Sequence, residues 1–206
     1  MKAPLAVGVL VSGRGSNLQA LLDACATPGF PARIAVVISD REDAPALERA
    51  RAAGVETLWV NPKDFVDREA FSLALVRELE ARKVGLVCQA GFMRILSPAY
   101  VRAFAGRAFN IHPSLLPAFP GLHPHRQALE HGVKVSGATV HFVEDGVDSG
   151  PIVLQAAVPV EPDDTEETLA ARVLKEEHRL YPQAVRLFAE GRLEIVGRRV
   201  RIKEGG

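Results

Sequence analysis

The chain alternates short apolar runs with segments in which apolar residues recur at helical spacing. Apolar, β-branched runs predict buried strands at Leu5–Val11, Arg33–Ser39, Val55–Val60 and Val84–Ala90. Helical spacing predicts helices between and after them at Asn17–Ala26, Ala44–Ala53 and Phe65–Arg82. Strands that are apolar throughout and alternate with helices indicate a doubly wound, mostly parallel α/β sheet with helices on both faces.

The pattern changes in the second half of the chain. Strands are predicted at Arg107–Asn110, Ser136–Val143 and Ile152–Val160, helices near Arg126–Glu130 and at Thr165–Glu190, and a terminal hairpin at Leu193–Val196 and Arg199–Ile202. The stretch His112–His125 holds four prolines and three histidines between these elements. Irregular backbone in such a position often carries function. The length favours a single domain spanning 1–206, since a domain has roughly 100–200 residues.

Composition and charge exclude several classes of protein. The 25 basic and 25 acidic side chains cancel, which argues against non-specific binding to nucleic acid. No apolar run approaches the ~20 residues of a membrane span, and the N-terminus lacks the regions of a signal peptide. Cys25 and Cys88 lie in apolar contexts and are expected to be buried thiols. A cytoplasmic enzyme or binding protein is therefore predicted.

The loop after the first strand contains closely spaced glycines. Ser12-Gly13-Arg14-Gly15-Ser16-Asn17 joins this strand to a helix, so backbone N–H groups at the helix start are available to a phosphate. Leu18 stands where the dinucleotide fingerprint needs a third glycine, and the P-loop ending is absent. The loop predicts a phosphate site for a ligand other than NAD or ATP. The alternative is a plain turn with Ser16 as N-cap.

Asn110 and His112 end a predicted strand and, by alternation, point to the same side. Two polar side chains at an apolar strand end are costly unless they are paired or used. Histidine suits proton transfer, an asparagine amide can donate to an oxyanion, and a carboxylate at Asp148 would orient the histidine. The alternative is a core histidine bonded to a carbonyl, with Asp148 serving its own turn.

The other histidines could be metal ligands or structural residues. His123 and His125 form an His-x-His pair, but no cysteine or carboxylate with ligand spacing accompanies them. No metal site is predicted. His131, His141 and His178 are isolated in the sequence and are expected to be structural.

Several motifs together resemble a known enzyme family. The segments are 13–19 (GRGSNLQ), 90–98 (AGFMRILSP), 110–117 (NIHPSLLP), 121–128 (GLHPHRQA), 141–143 (HFV) and 148–151 (DSGP). In this order they resemble the phosphoribosylglycinamide formyltransferase family, over nearly the whole chain. The resemblance implies a Rossmann-like formyltransferase fold. It also implies transfer of a formyl group from 10-formyltetrahydrofolate to 5-phosphoribosylglycinamide in purine biosynthesis.

The resemblance implies roles for particular residues. Gly15, Ser16 and Asn17 would bind the ribonucleotide phosphate, and Glu177 would contact that substrate. Asn110, His112 and Asp148 would be catalytic. Folate contacts would come from Arg68, Asn110 and the backbone of Met93, Arg94, Ile95 and Leu96. The N-terminal half (about 1–100) would bind the phosphate, and the C-terminal half (about 101–206) would hold the folate and the catalytic site.

Three positions depart from the family pattern and two other functions remain open. Arg14, Gln89 and Leu174 differ from the expected residue types and bear on affinity. A formyltetrahydrofolate hydrolase shares the Asn-x-His and Asp residues, and a non-catalytic nucleotide-binding module is a third interpretation. Expected partners are small molecules, with no nucleic acid or membrane, in a monomer or homodimer.

Overall fold

A nine-stranded sheet forms the centre of the computed structural model, which describes residues 3–204. Its first five strands are mutually parallel and lie in the order β3-β2-β1-β4-β5. They are β1 (Leu5–Val11), β2 (Ala32–Ser39), β3 (Thr57–Trp59), β4 (Leu86–Gln89) and β5 (Ala108–His112). The expectation that no leader precedes β1 concerns Met1 and Lys2, which lie outside the described residues.

The rest of the sheet is largely antiparallel. Its strands are β6 (Val135–Phe142), β7 (Ile152–Pro159), β8 (Leu193–Val196) and β9 (Arg199–Ile202). β6 pairs antiparallel with both β5 and β7, while β9 pairs parallel with β7 and antiparallel with β8. Five of the eight pairings are parallel, which confirms a mostly parallel sheet.

Helices cover both faces of the sheet, as predicted. They are α1 (Ser16–Ala26), α2 (Pro45–Ala52), α3 (Arg68–Ala81), α4 (Pro98–Ala103), α5 (Pro124–Glu130) and α6 (Glu166–Ala189). Val9 and Val11 of β1 join the apolar cluster under α1, α2 and α6, whereas Leu10 joins the cluster under α3 and α4. This alternation along one strand is why β1 is apolar throughout. No helix in residues 3–204 is long and apolar enough to cross a membrane.

Helix boundaries differ from the sequence predictions where capping contacts decide them. α3 begins at Arg68, later than predicted, because the Asp67 side chain accepts a hydrogen bond from the Ala70 N–H. A short 3₁₀ helix, Pro62–Asp64, occupies the preceding turn. α4 was not predicted, since its six residues are too few to show a period. Before α6, Thr165 and Thr168 form a reciprocal capping box, with threonine in the place of the usual Glu.

The strand order creates a crevice at the carboxyl edge of the sheet. The chain leaves β1 toward β2 on one side, while β4 and β5 lie on the other side. Loops that follow β1 and β4 therefore diverge, and a crevice opens between them, which is where open α/β sheets bind ligands. The polar end of β5 lies at this same edge, so the topology brings three predicted segments together.

Candidate active site

The glycine loop, residues 12–15, is fixed by its own backbone and by α2. Gly15 is the N-cap of α1 and has φ 75°, so the alternative of a plain turn with Ser16 as N-cap does not hold. A Cβ on Gly15 would lie 2.6 Å from the Ala46 Cβ, so only glycine fits. The Ala46 N–H donates to the Gly13 carbonyl (3.1 Å), and Arg49 Nε donates to the Arg14 carbonyl (2.8 Å).

Among residues 3–204, no side chain caps the start of α1. The first N–H groups of a helix have no partner within the helix, and they carry the positive end of its dipole. The start of α1 at Ser16 and Asn17 thus has the chemistry of a phosphate site. A cavity of about 480 Å³ lies along α1, with Ser16 among its lining residues. That volume is within the usual range of ligand pockets.

Glu177 reaches the start of α1 from α6. Its residue is 6% exposed, and its Oε2 accepts a long hydrogen bond of 3.4 Å from Asn17 Nδ2. Burial raises the pKa of Glu177 to about 7, although the bond from Asn17 opposes the shift. Asn17 Oδ1 is also buried and finds no hydrogen-bond partner within residues 3–204. Two buried polar groups with unused capacity therefore lie beside the start of α1, which favours a polar ligand there.

Asn110, His112 and Asp148 meet at the end of β5. Asn110 Nδ2 donates to Asp148 Oδ1 at 3.2 Å, and His112 Nδ1 lies 3.3 Å from Asp148 Oδ2. The alternation predicted for Asn110 and His112 gives them this common partner. Asp148 itself has φ 50°, a left-handed conformation that costs energy in a non-glycine residue. The cluster is therefore held in place by the surrounding fold.

The ring of His112 has acceptors on both sides. Its Nε2 lies 2.8 Å from the Phe119 carbonyl, while Nδ1 faces the Asp148 carboxylate. Phe119 also has a left-handed φ of 53°, which turns its carbonyl toward the ring. Because a carbonyl and a carboxylate only accept hydrogen bonds, both contacts are satisfied when each ring nitrogen carries a proton. The ring of His112 is thus held between the Phe119 carbonyl and the Asp148 carboxylate.

Asp148 is ionised under ordinary conditions. Burial alone raises the pKa of Asp148, but hydrogen bonds from His141 and from the Gly121 N–H, together with the histidine charges, outweigh it. The net effect is a pKa below its usual value. The Gly121 N–H to Asp148 Oδ2 distance is 2.8 Å, so the proline-rich stretch itself positions the carboxylate.

His141 belongs to the cluster, contrary to its predicted structural role. It pairs with Asn110 across the β5–β6 ladder, and its Nε2 lies 3.3 Å from Asn110 Nδ2 and 3.6 Å from Asp148 Oδ1. It is 2% exposed. The sequence predicted β7 as the partner of β6 but did not pair β6 with β5. The pairing of β6 with β5 is the information that would have placed His141 beside Asn110.

The loop from β4 to α4, residues 90–97, has no helix or strand of its own. Side chains from other elements hold it. Ser12 Oγ accepts from the Met93 N–H (2.9 Å), and Asp40 Oδ2 accepts from Arg94 Nε (2.7 Å). Ser72 Oγ accepts from the Ser97 N–H (2.9 Å) and donates to the Arg68 carbonyl (2.8 Å). The backbone of Arg68 is thereby linked through Ser72 to the end of this loop at Ser97, although Arg68 lies far from it in the sequence.

Large apolar side chains stay exposed on the loops at this edge. They are Met93 (67%), Ile95 (65%), Leu122 (73%) and Val147 (54%). A second cavity of about 450 Å³ adjoins Asp148 and is lined by Pro117, Pro120 and Val147, among others. Exposed apolar groups next to convergent polar ones are typical of a small-molecule site.

The remaining predicted features lie apart from these contacts. Within residues 3–204 no group of three or more His, Cys, Asp or Glu side chains is arranged to hold a metal ion. Burial lowers the pKa of His125, and burial likewise lowers that of His178. Cys25 and Cys88 are both free thiols, with Cys88 fully buried and Cys25 half-buried.

Comparison with known proteins defines the class to which this site belongs. The formyl transferase family model matches residues 5–185, so the chain belongs to the formyl transferase family. It is 51% identical over 187 residues to phosphoribosylglycinamide formyltransferase of Escherichia coli K12, covering 91% of this chain and 88% of that protein. The crystal structure of glycinamide ribonucleotide transformylase 1 from Symbiobacterium toebii superposes with a TM-score of 0.96. The identity is 61%, over 98% of this chain and 95% of that one.

Two further relatives differ in length or in reaction. The trifunctional purine biosynthetic protein adenosine-3 of Drosophila melanogaster is 51% identical over 90% of this chain, but the chain spans only 14% of that protein. A formyltetrahydrofolate deformylase from Pseudomonas syringae superposes with a TM-score of 0.90. Its identity is only 28%, over 98% of this chain and 66% of that one. The Rossmann-like formyltransferase fold is therefore confirmed, and the fold itself accommodates more than one reaction.

Proposed function

We propose that the protein transfers the formyl group of 10-formyltetrahydrofolate to the amine of 5-phosphoribosylglycinamide in purine biosynthesis. One observation carries the proposal: a cluster of Asn110, His112 and Asp148 lies at the same sheet edge as an uncapped helix start at Ser16. The first can stabilise an oxyanion, and the second can bind a phosphate. An acceptor that carries both an amine and a phosphate fits this combination.

The ribonucleotide binds at the start of α1. Gly15, Ser16 and Asn17 hold its phosphate through backbone N–H groups and side chains, and Glu177 contacts the same substrate from α6. The 3.4 Å contact of Glu177 with Asn17 supports this assignment. In this proposal the phosphate is bound by the N-terminal half of the chain, and the C-terminal half adds the contact of Glu177 with the same substrate.

The formyl folate binds along residues 93–96. Backbone groups of Met93, Arg94, Ile95 and Leu96 recognise it, with Arg68 and Asn110 beside them. The side-chain contacts that hold this loop support a fixed backbone template. Of the three departures, Arg14 is exposed, whereas Gln89 and Leu174 are half-buried. Each affects the affinity for a substrate and leaves the chemistry unchanged.

The reaction proceeds through a tetrahedral intermediate. The substrate amine attacks the formyl carbon, and the carbonyl oxygen becomes an oxyanion that accepts a hydrogen bond from Asn110 and is stabilised by protonated His112. Asp148 holds His112 and orders a water molecule, which carries the proton from the attacking amine to the departing folate nitrogen. The C–N bond to the folate then breaks and tetrahydrofolate leaves. These donors supply the charge stabilisation, so the step needs no metal ion.

Two other functions are separated by simple measurements. A deformylase would use water in place of the amine and would have no second substrate to anchor, so the uncapped helix start argues against it. A non-catalytic nucleotide-binding module would leave the Asn110, His112 and Asp148 cluster without a role. Isothermal titration calorimetry with NAD and, separately, with 5-phosphoribosylglycinamide distinguishes a nucleotide-binding module from a formyltransferase.

The test is a formyl-transfer assay with and without the ribonucleotide amine. We expect tetrahydrofolate release that depends on the amine and is accompanied by the formylated ribonucleotide. Release at an equal rate without the amine would instead identify a hydrolase. Activity that EDTA abolishes and zinc restores would contradict the metal-free mechanism.

The same proposal includes the domain organisation, partners and compartment of the enzyme. The chain works as one domain on small molecules, without nucleic acid, as a monomer or homodimer in the cytoplasm. Its neutral charge, with 25 basic and 25 acidic side chains, supports a small-molecule enzyme over a nucleic-acid-binding one.

A further inference from the structure

We propose that Asp40 is a positioning residue for the folate, since it anchors Arg94 and with it the backbone of residues 93–96. This inference rests on the function proposed above. Asp40 directly follows β2 at the carboxyl edge, on the far side of β1 from β4. No sequence motif marked it, because its role appears only when the β4–α4 loop lies against it.

The burial of the two partners is unequal. The Asp40 side chain is 3% exposed and Arg94 is 50% exposed, yet Arg94 Nε lies 2.7 Å from Asp40 Oδ2. A buried carboxylate is costly without a cation, and within residues 3–204 its ion-pair partner is Arg94. The buried carboxylate therefore fixes its more exposed partner, since moving Arg94 away would leave Asp40 without an ion-pair partner.

Asp40 is the charged member of three anchors on this loop. Ser12 and Ser72 hold the loop through neutral hydrogen bonds to the N–H groups of Met93 and Ser97. Hydrogen bonds between charged groups are roughly twice as strong as neutral ones. Because residues 90–97 have no secondary structure, these anchors set the backbone that faces the folate. Loss of the strongest anchor should weaken folate binding first.

Only one carboxylate oxygen is used by Arg94. Asp40 Oδ1 is buried and finds no hydrogen-bond partner within the described part of the chain. A buried polar atom without a partner calls for an explanation, and a functional role is one of the usual ones. The position of Asp40 leaves one oxygen unpaired but brings the other within reach of Arg94. This arrangement favours a positioning role for Asp40 over a purely structural one.

The experiment compares Asp40→Ala and Asp40→Asn with the wild-type enzyme in the formyl-transfer assay. We expect Asp40→Ala to raise the KM for 10-formyltetrahydrofolate about tenfold, equivalent to about 1.4 kcal/mol. Asp40→Asn keeps an acceptor without the charge, so the increase should be about threefold. The KM for 5-phosphoribosylglycinamide and kcat should stay within about twofold of wild type, because Asn110, His112 and Asp148 lie on other segments.

Asp43→Ala is the matched control, since Asp43 lies on the same segment but is 75% exposed in its pair with Arg41. It should leave both KM values unchanged. An unchanged folate KM in both Asp40 variants overturns the proposal, and so does an equal rise in both KM values accompanied by a lower Tm. If Asp40→Ala does not fold, Asp40→Asn alone decides.

Direct titration with tetrahydrofolate separates this proposal from the proposed function. A wild-type protein that binds tetrahydrofolate but transfers no formyl group contradicts the proposed function only, and weaker binding by Asp40→Asn then still supports the role of Asp40. A wild-type protein that does not bind tetrahydrofolate overturns both.

Discussion

The glycine loop after β1 and the cluster at the end of β5 lie at one edge of the same sheet but are built differently. The loop is contiguous and acts through backbone groups, with Gly15 as the position that admits no side chain. The cluster consists of side chains, and Asn110 and Asp148 are 38 residues apart. Substitutions that add atoms and substitutions that remove them should therefore affect the activity of the two regions differently.

The two regions are sensitive to different kinds of substitution. At the loop, adding an atom is harmful, because the Cβ of another residue would disturb the backbone. At the cluster, removing an atom is harmful, because each side chain satisfies its neighbours. Substitutions at Asn110, Glu177, Gly15 and Ser12 should have effects that decrease in that order.

Asn110→Ala should lower kcat by about 10²–10³, since one oxyanion donor contributes about 2.7–4 kcal/mol. Steady-state kinetics with saturating substrates measures the change. Asn61→Ala, which removes a surface cap of the 3₁₀ helix, is the control and should leave kcat unaltered. Unchanged kcat in Asn110→Ala would falsify the assignment of Asn110 as oxyanion donor.

Glu177→Gln should make the protein more stable at high pH than wild type. Burial raises the pKa of Glu177 from 4.5 to about 7, so the folded state binds the proton more tightly than the unfolded state. Wild-type stability should then fall as pH rises from about 4.5 to 7, with a loss of up to about 3 kcal/mol at higher pH.

Urea unfolding at pH 5 and pH 8 measures this effect in both proteins. The gain of Glu177→Gln over wild type should grow between the two pH values. The neighbouring Glu176→Gln is the control and should show no such growth. A gain that is the same at both pH values would show that Glu177 titrates normally.

Gly15→Ala should raise the KM for 5-phosphoribosylglycinamide about tenfold, with little change in the folate KM. A non-glycine residue at φ 75° costs about 1–2 kcal/mol, and its Cβ would press on Ala46. Gly13→Ala is the matched control, because nothing lies within 4 Å of a Cβ there. If both variants lose affinity equally, the glycines act through flexibility and the steric argument is wrong.

Ser12→Ala should raise the folate KM by about two- to threefold, the smallest effect. The Met93 N–H loses its acceptor, and a neutral hydrogen bond contributes about 0.5–1.5 kcal/mol. Ser136→Ala, which removes a buried hydroxyl that has no partner within residues 3–204, is the control. An effect on the ribonucleotide KM alone would mean that Ser12 serves the glycine loop instead.

The contrast also explains how much the sequence could predict. The glycine loop was located from local spacing because its geometry depends on neighbouring residues. Asn110 and His112 were linked because both lie on one strand with a period of two. His141 was missed because its position depends on pairing between β5 and β6, which no local pattern encodes. Asp40 was missed for the same reason, since its partner Arg94 is 54 residues away.

The fold was predictable for similar reasons. β1, β2 and β4 carry largely continuous apolar runs because helices cover both faces of the sheet there, and the terminal hairpin was predicted at its observed bounds. Short elements were predicted less well: α4, with six residues, was not predicted, and the strand predicted at Val55–Val60 has only the three residues of β3. The side-chain cap at Asp67 sets the start of α3 later than the apolar pattern predicted, whereas α6 begins directly after its cap Thr165, where the helix start was predicted.

Three left-handed non-glycine residues, Phe119, His123 and Asp148, lie on the segments that form the candidate site. Each such conformation costs about 1–3 kcal/mol, which the rest of the fold must supply. Selection for heat resistance alone would replace these residues with glycine. At Asp148 that replacement would remove the carboxylate that contacts Asn110 and His112, so relief of backbone strain and the proposed chemistry exclude each other at this residue.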